Sequence, residues 1–252
     1  MTVRPLHTRD ECVEAASLLA KIWGTSLEAS PLSGDLLVSL IHSGACVLGA
    51  IDSDGIVGLT VGLGGPPQSD SLYSVIAGVD RGHANRGVGL ALKQHQRVWA
   101  LERGATRTMW TYDPMVRRNA HFNLNRLGAR VTEYLPDFYP PMHDAINRGD
   151  LTDRLAVVWD LLCPDVSDAV SSEGVRVLQP DQDLEPTTSE SDGEQVLLAW
   201  IPQDIEALRT TNRASAMRWR MALRETLQST FEAGYRPESV SADGYYVLKR
   251  QT

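Results

Sequence analysis

The sequence has few cysteines, and their positions do not form a recognised site. It contains three, Cys12, Cys46 and Cys163, which is an odd number without a Cys-x-x-Cys pair. We therefore expect neither a disulfide framework nor a zinc site, and we predict no metal. A chain of this kind is typical of a reducing compartment, so we expect a cytoplasmic protein.

Long apolar runs are also missing. No run approaches the roughly 18 residues that a membrane-spanning helix needs. The first residues, MTVRPLHTRDECVEAA, lack the charged and then apolar pattern of a signal peptide. We therefore expect no membrane partner.

The chain does not carry the positive charge of a general nucleic-acid-binding protein. Its formal net charge is −8 and its pI is about 5.2. Bulk binding to nucleic acid is not expected, although tRNA stays open as a substrate for the reason given below. With 252 residues, 42% of them hydrophobic, the chain can bury a full core as one large domain or two small ones.

The most informative stretch runs from Leu72 to Glu102. An apolar segment, SLYSVIAGV, enters the loop DRGHANRGVG, and a helix-patterned segment ending near Gly104 leaves it. A strand, a glycine-bearing turn and a helix expose several backbone N–H groups at a positive helix end, which suits a phosphate or pyrophosphate. Glycine is also common in such turns for geometry alone. The loop lacks the Gly-Lys-Ser/Thr ending of a P-loop.

This loop resembles the pyrophosphate loop of the GCN5-related N-acyltransferase (GNAT) superfamily, on the residues Val79, Gly87, Val88 and Gly89. The stretch Met109–Ala129, MWTYDPMVRRNAHFNLNRLGA, is similar to a branch of predicted acyltransferases related to amino-acid N-succinyltransferases. That branch carries Trp-Thr-aromatic-Asp-Pro followed by Arg-Asn-Ala-His-x-Asn-Leu. Shorter pieces up to Trp159 and within Trp200–Leu248 agree, so the likeness covers most of the chain.

The resemblance implies an α/β (α+β) fold of the GNAT type. Its mixed, mostly antiparallel sheet is splayed between two central parallel strands, here Leu72–Val79 and Thr106–Tyr112, and a C-terminal α/β extension follows. We divide the chain into a GNAT core (1–162), an acidic linker or excursion (163–194) and a C-terminal strand-helix-strand extension packed on the core (195–252). The co-substrate implied is an acyl-CoA, either acetyl-CoA or succinyl-CoA, with its pantetheine arm between the splayed strands. The residues expected to bind it are Ile76, Val79, Asn85, Arg86, Gly87, Val88, Gly89, Leu90 and Asn119.

The residue pattern predicts the elements in order. It predicts strands at Val3–Leu6, Cys46–Ile51, Ile56–Leu63, Val131–Leu135, Leu155–Leu162, Gln195–Ile201 and Gly244–Arg250, in addition to the two central ones. It predicts helices at Glu11–Trp23 with Asp10 as cap, at Leu36–His42, after the loop, at Arg117–Leu127, and from Pro202 to Ala233. The apolar stripe of the helix after the loop is Val88, Ala91, Leu92, His95, Val98 and Trp99.

Two charged segments have open interpretations. Gln179–Glu194 carries six acidic residues and no basic one, so we expect solvated, irregular chain there. Arg209, Arg213, Arg218, Arg220 and Arg224 give the last helix a basic side. That side is either a solvated face balanced by the acidic segment or a site for an anionic partner.

Acyl transfer to an amine requires a base or a water chain, and the superfamily often adds a tyrosine as general acid. Leu124 stands at that tyrosine's position here, so the acid comes from elsewhere, with Tyr112 or Tyr139 as candidates. The candidate bases are Asp113, His121 and, in the long loop before Arg154, Asp144 or His143. A helix cap or an Asp-Pro turn is the alternative role of Asp113, and a packed or capping role is that of His121. Trp110, Tyr139, Asp144 and Arg154 are the expected acceptor-binding residues. Arg154 suits a carboxylate, or else a salt bridge to Asp153 or Asp144.

We expect an N-acyltransferase that transfers an acyl group from CoA to the amine of a small molecule such as an amino acid. Two departures from the superfamily pattern, Ala84-Asn85 and Val75, motivate an alternative amide-forming transferase that uses a carrier-protein thioester or an aminoacyl-tRNA. The missing tyrosine motivates a third interpretation, a non-catalytic CoA-binding module. The sequence leaves a homodimer open.

Overall fold

The computed structural model describes residues 1–65, 69–163, 173–191 and 193–251, which form two compact units. Unit 1 comprises Met1–Trp110, Asp144–Ile146 and Asp160–Cys163. Unit 2 comprises Thr111–His143, Asn147–Trp159 and the described part of 164–252. The predicted division at 162 and 194 stays a prediction, and 164–172 and 192, which belong to the predicted linker, lie outside the described residues.

Unit 1 is a sheet with helices on both faces. Its strands lie in the order β1-β2-β3-β4-β5, with antiparallel pairing except between β4 and β5, which are parallel. Leu19 and Leu37, from the first two helices, pack on one face, and Leu92 of the third packs on the other. The elements are β1 (Thr2–Pro5), α1 (Arg9–Trp23), α2 (Gly34–His42), β2 (Cys46–Asp52), β3 (Gly55–Gly64), β4 (Ser71–Val79), a 3₁₀ turn (Arg81–His83), α3 (Val88–Leu101) and β5 (Arg107–Tyr112), which continues into unit 2.

Unit 2 contains the antiparallel pair β6–β7 and a five-stranded sheet in the order β11-β12-β10-β8-β9, in which β8 and β10 are parallel. Trp219 and Leu223 of its longest helix are fully buried. The elements are α4 (Arg117–His121), a π-helical turn (Phe122–Arg126), β6 (Arg130–Leu135), β7 (Arg154–Asp160), β8 (Val175–Pro180), β9 (Pro186–Thr188), β10 (Val196–Trp200), α5 (Ile205–Thr211), α6 (Arg213–Glu232), β11 (Tyr235–Val240) and β12 (Tyr245–Arg250).

The predicted fold class is confirmed, since the structure combines helices with mixed sheets, but several elements differ from the prediction. Thr8, and not Asp10, caps α1, because its hydroxyl accepts from the Glu11 N–H while the Glu11 carboxylate accepts from the Thr8 N–H. The predicted helix Arg117–Leu127 becomes an α-helical turn followed by a wider π-helical one. β9 occupies part of the segment predicted as solvated chain.

The predicted helix from Pro202 to Ala233 is in fact two helices. Asn212 leaves the helical conformation, at φ −149° and ψ 80°, and its side chain accepts from the Ser215 N–H at 3.1 Å. Asn212 therefore ends α5 and caps α6. The strand β11 was missed, so the extension is more than the predicted strand-helix-strand. None of the described helices is long and apolar enough to cross a membrane.

Candidate functional site

The loop between β4 and α3 leaves a row of backbone donors free. Asn85 and Gly87 both adopt left-handed conformations, at φ 60° and 79°, and Gly87 precedes the first residue of α3. Within the part of the chain that the structure describes, the N–H groups of Asn85 to Leu90 donate to no backbone or side-chain acceptor. Because these donors lie at the positive end of a 14-residue helix, they can hold an anion such as a diphosphate.

The strands β4 and β5 pair over a short distance and then separate. Their parallel ladder consists of Ser71 with Arg107, Leu72 with Thr108 and Tyr73 with Met109, although β4 continues to Val79. We call the point where pairing stops the fork; its first residues are Ser74 on β4 and Trp110 on β5. The fork leaves one edge of β4 open to a ligand.

A β-bulge on β4 lies at the fork. In the antiparallel ladder with β3, Gly62 pairs with Ser74 and Val61 pairs with Ile76, so Val75 is an extra residue. A bulge bends its strand and interrupts regular pairing. The deviation of β4 from β5 therefore has a local cause in the backbone.

Backbone alternation decides which amides face the open edge of β4. The Asp80 N–H donates to the Val57 carbonyl of β3 at 2.9 Å. Because successive residues of a strand point their amides to opposite sides, Gly78 and Ile76 also face β3, whereas Ala77 and Val79 face away from it. Of the two strand residues predicted to bind the donor, Val79 offers its N–H to the open edge and Ile76 does not.

The fork contains a buried lysine that the sequence interpretation missed. Lys93 of α3 is 4% exposed. Its ammonium donates to the Ser74 hydroxyl at 2.8 Å and to the Gln96 side-chain oxygen at 3.0 Å, and it lies 4.1 Å from the centre of the Trp110 ring. Burial lowers the pKa of Lys93 from 10.5 to about 7.

The predicted apolar stripe of α3 explains why Lys93 was missed. His95 and Val98 were placed in that stripe but are exposed, whereas Lys93 and Gln96 are buried. The buried positions Leu92, Lys93, Gln96 and Ala100 have helical spacing, so a polar pair inside that spacing was the available signal.

In unit 2, four buried charged side chains form what we call the buried ion-pair cluster: Asp113, Asp150, Arg209 and Arg220. The Arg209 guanidinium lies 2.6 Å from Asp113 and 2.7 Å from Asp150, and that of Arg220 lies 2.9 Å and 3.0 Å from the same carboxylates. Burial alone would raise the pKa of Asp113, but Arg220 and Arg209 hold it well below its usual range. Next to the cluster in sequence, Arg224 pairs with Asp153 and Asp137.

The cluster corrects both interpretations of the basic side of the last helix. Arg209 and Arg220 are buried, at 4% and 0% exposure, so they belong neither to a solvated face nor to an exposed docking surface. Arg218 is the exposed member that pairs with the acidic segment, through Glu185 at 2.6 Å. Because they are buried, Arg209 and Arg220 are not available to bind an anionic partner at the surface.

The predicted catalytic residues have different environments. Tyr112 is buried, and burial raises the pKa of its phenol. Asp113 accepts from the Met115 N–H at 2.9 Å, which is the Asp-Pro turn considered as its alternative role, and its ion pairs occupy the carboxylate. This environment favours the structural interpretation of Asp113 over that of a base. His121 and Asn119 are exposed on α4.

The predicted acceptor-binding residues differ in burial. Arg154 is 7% exposed, and its guanidinium lies 5.1 Å from the centre of the Tyr139 ring and donates to the Asp153 carbonyl at 2.9 Å. Among the described residues of unit 2, no carboxylate lies at ion-pair distance from Arg154, and Asp153, considered as its salt-bridge partner, pairs with Arg224 instead. Asp144 accepts from the Ile146 N–H at 2.9 Å, and Trp110 is buried.

One group of described residues has the spacing of metal ligands. Asp52, Asp54 and His83 bring a ligand atom each within 4.8 Å of the others, and the His83 imidazole lies 3.2 Å from the Asp52 carboxylate. Exposed carboxylates around a histidine also form ion pairs without a metal, and we assign no ion to them.

No protein-family model matches the sequence, and no curated protein matches it. Solved structures do match the fold. A ribosomal-protein-S18-alanine N-acetyltransferase from Escherichia coli is 15% identical, with a TM-score of 0.50, and the match covers 64% of this chain and 93% of that one. A ribosomal-protein-alanine N-acetyltransferase from Brucella melitensis is 15% identical, with a TM-score of 0.52 and coverage of 64% and 99%. A GNAT-family protein from Desulfovibrio desulfuricans is 14% identical, with a TM-score of 0.52 and coverage of 64% and 98%. The chain therefore contains the GNAT fold, as the resemblance predicted.

Proposed function

We propose that the protein is an N-acyltransferase that transfers an acyl group from a CoA thioester to the amine of a small molecule. The observation that carries this proposal is the combination of the free N–H groups at Gly87 with the fork, both within unit 1. A diphosphate at the helix end and a thioester arm along the open edge of β4 would use the two features together. The fold supports the same function.

The reaction needs no covalent enzyme intermediate. The neutral acceptor amine attacks the thioester carbonyl, the C–N bond forms, the C–S bond breaks and the thiol leaves. The strand amides that face away from β3, at Ala77 and Val79, are placed to donate hydrogen bonds to the arm that carries the thioester toward the fork. Holding the thioester in the fork would supply the orientation on which such a transfer depends.

The donor site is tested by replacing two glycines that both have a left-handed backbone conformation. Gly87 has φ 79° and Gly44 has φ 82°, and at both an added Cβ would find open space. Each change to Ala therefore costs stability by about 1–2 kcal/mol through the left-handed conformation. We expect Gly87→Ala to weaken binding of CoA, measured by calorimetry, by about tenfold or more, because the amides at α3 shift, and Gly44→Ala to bind CoA as the wild type does. Equal CoA affinities for the two variants would contradict this donor site.

For the acceptor, we propose an amine that also carries a carboxylate, such as an amino acid. Two of the three buried arginines that the structure describes in unit 2, Arg209 and Arg220, pair with the buried carboxylates Asp113 and Asp150, and the third buried carboxylate, Asp153, pairs with Arg224. One guanidinium nitrogen of Arg220, Nη1, is buried without a hydrogen-bond partner among the described residues. Arg154 is therefore the buried arginine without an ion pair among the described residues of unit 2, and the carboxylate of an acceptor would supply its partner.

The acceptor proposal is tested by kinetics with a matched pair of acceptors. The wild type is assayed by thiol release with an amino acid and with the amine that lacks its carboxylate. We expect Arg154→Lys to lower kcat/KM about 10- to 100-fold for the amino acid, the value of a charge-assisted hydrogen bond, and to leave the simple amine unaffected. Arg148→Lys, an exposed arginine in the segment that precedes β7, is the control. An equal loss with both acceptors would contradict carboxylate binding by Arg154.

The choice of acyl group between acetyl and succinyl is made by the same assay. A panel of acyl-CoA thioesters with a mixture of amino acids, followed by thiol release, identifies the pair with the highest kcat/KM. If none of the thioesters binds or releases thiol, the proposed function fails.

A further inference from the structure

Lys93 reaches the fork from the helix side of the sheet. Two strand residues that it contacts, Ser74 and Trp110, are the first residues on β4 and β5 after the last paired ones. The ammonium is thus fixed at the apex of the fork, where the open edge of β4 begins. A thioester lying along that edge would end beside this nitrogen.

The side chains around Lys93 do not include an anion that would neutralise its ammonium. Among the described residues, no carboxylate lies at ion-pair distance from its nitrogen, and its partners are a hydroxyl, an amide oxygen and an aromatic ring. Burying an ammonium without an anion is costly, and an apolar side chain of similar length would fill the same space at lower cost. An ionisable group held by such an arrangement is a candidate for a functional role.

The transfer reaction lacks an assigned proton donor. Breaking the C–S bond releases a thiolate, which needs a proton at neutral pH because the pKa of an alkyl thiol is about 8.5. Leu124, which is buried, occupies the position where the superfamily often has a tyrosine that acts as the general acid. An acid is most effective when its pKa is near the working pH, and the lowered pKa of Lys93 meets that condition.

We propose that Lys93 is the general acid of the reaction, which protonates the departing thiolate sulfur. As the C–N bond forms and the C–S bond breaks, the electron pair of the broken bond passes to sulfur and takes a proton from the Lys93 ammonium. Lys93 is left as a neutral amine and regains a proton from solvent, while the acceptor nitrogen loses its own proton to water. This inference rests on the proposed function, because it requires a thioester in the fork.

The sharpest test varies the leaving group. Lys93→Met is compared with the wild type on two donors that carry the same acyl group, one the CoA thioester and the other a thioester of an acidic aryl thiol. The aryl thiolate leaves without protonation, so a missing acid matters little to it. We expect Lys93→Met to lower kcat about 100-fold or more with the CoA thioester and less than about fivefold with the aryl thioester. A structural role would lower both equally, and that result would overturn the inference.

The wild type provides a second test that does not depend on a variant that folds. Cys46 is the titratable group that acts electrostatically on Lys93, and burial raises the pKa of its thiol to about 12, so it stays neutral across the range used. As pH rises above the pKa of Lys93, the acid form is lost, so kcat with the CoA thioester should fall while kcat with the aryl thioester should not. The same fall with both donors would overturn the inference.

Two controls separate the possible failures. Lys249→Met removes an exposed lysine paired with Glu238 and should leave both donors unaffected. If the wild type releases no thiol from any acyl-CoA, the proposed function has failed. If the wild type is active and Lys93→Met retains full activity with the CoA thioester, the role of Lys93 alone has failed.

Discussion

Replacing Asp113 by Asn tests whether this residue stabilises the fold or acts as a catalytic base. Its carboxylate contacts two buried guanidinium groups, those of Arg209 and Arg220. Removing one partner of a buried ion pair leaves uncompensated charge and costs about 3–5 kcal/mol. We expect Asp113→Asn to lower the free energy of unfolding by that amount, which corresponds to a fall in Tm of roughly 6–20 °C.

The measurement is urea unfolding followed by tryptophan fluorescence, with Asp137→Asn as the control. Asp137 also pairs with an arginine, Arg224, but its side chain is 54% exposed, so we expect little change in stability. The reasoning is refuted if Asp113→Asn is as stable as the control. A variant with native stability and lost activity would instead identify Asp113 as the base.

A paired substitution separates lost charge balance from lost packing. Asp113→Asn combined with Arg220→Met removes one charge of each sign from the buried ion-pair cluster. Because replacing a buried pair is often close to neutral, we expect the double variant to be more stable than Asp113→Asn alone. If the double variant lost as much free energy of unfolding as the two single variants together, charge balance would not be the main cause of the instability of Asp113→Asn.

The same residue predicts the pH dependence. The pKa of Asp113 is lower in the folded protein than in the unfolded chain, where it is about 3.9. The stability that ionised Asp113 contributes is therefore fully present above its unfolded pKa. It is lost as the pH falls through its folded pKa. The difference in stability between wild type and Asp113→Asn should shrink as pH is lowered below about 4.

Three further predictions use local contacts. Thr8→Ala removes the cap of α1 and should cost about 1 kcal/mol in urea unfolding. Asn125→Ala removes two hydrogen bonds to the Val240 backbone, of 2.9 Å and 3.0 Å, and should cost about 1–3 kcal/mol in the same assay. With a thiol reagent, exposed Cys163 should react at once, whereas Cys46, whose pKa is raised to about 12, should react only on unfolding.

The elements of unit 1 were predictable because their signals are local. Asp54-Gly55 turns the β2–β3 hairpin, and Gly104 follows α3, as their sequence positions indicate. The fork was expected from the family resemblance alone, because a bulge at Val75 leaves no composition signal. The break at Asn212 was missed because Pro202 and a continuous apolar face suggested one long helix.

The charged residues of unit 2 were less predictable. Asp113 pairs with Arg220, which lies 107 residues further along the chain, and no spacing rule connects them. Periodicity placed Arg209 and Arg220 on a basic face but could not show that these two side chains are buried while Arg213 and Arg218 are exposed. In the sequence, the carboxylate partners of these arginines, Asp113 and Asp150, could be recognised only as residues of a turn and of a loop.

The short ladder at the fork has a consequence for hydrogen exchange in unit 1. The parallel ladder between β4 and β5 stops after three residue pairs, whereas β3 is paired along both of its edges. Amide hydrogens of Ala77 and Val79, which face the open edge of β4, should therefore exchange with solvent faster than those at the centre of β3. A molecule that occupies the fork would slow exchange at these two amides, which makes deuterium uptake there a measure of occupancy before any substrate is identified.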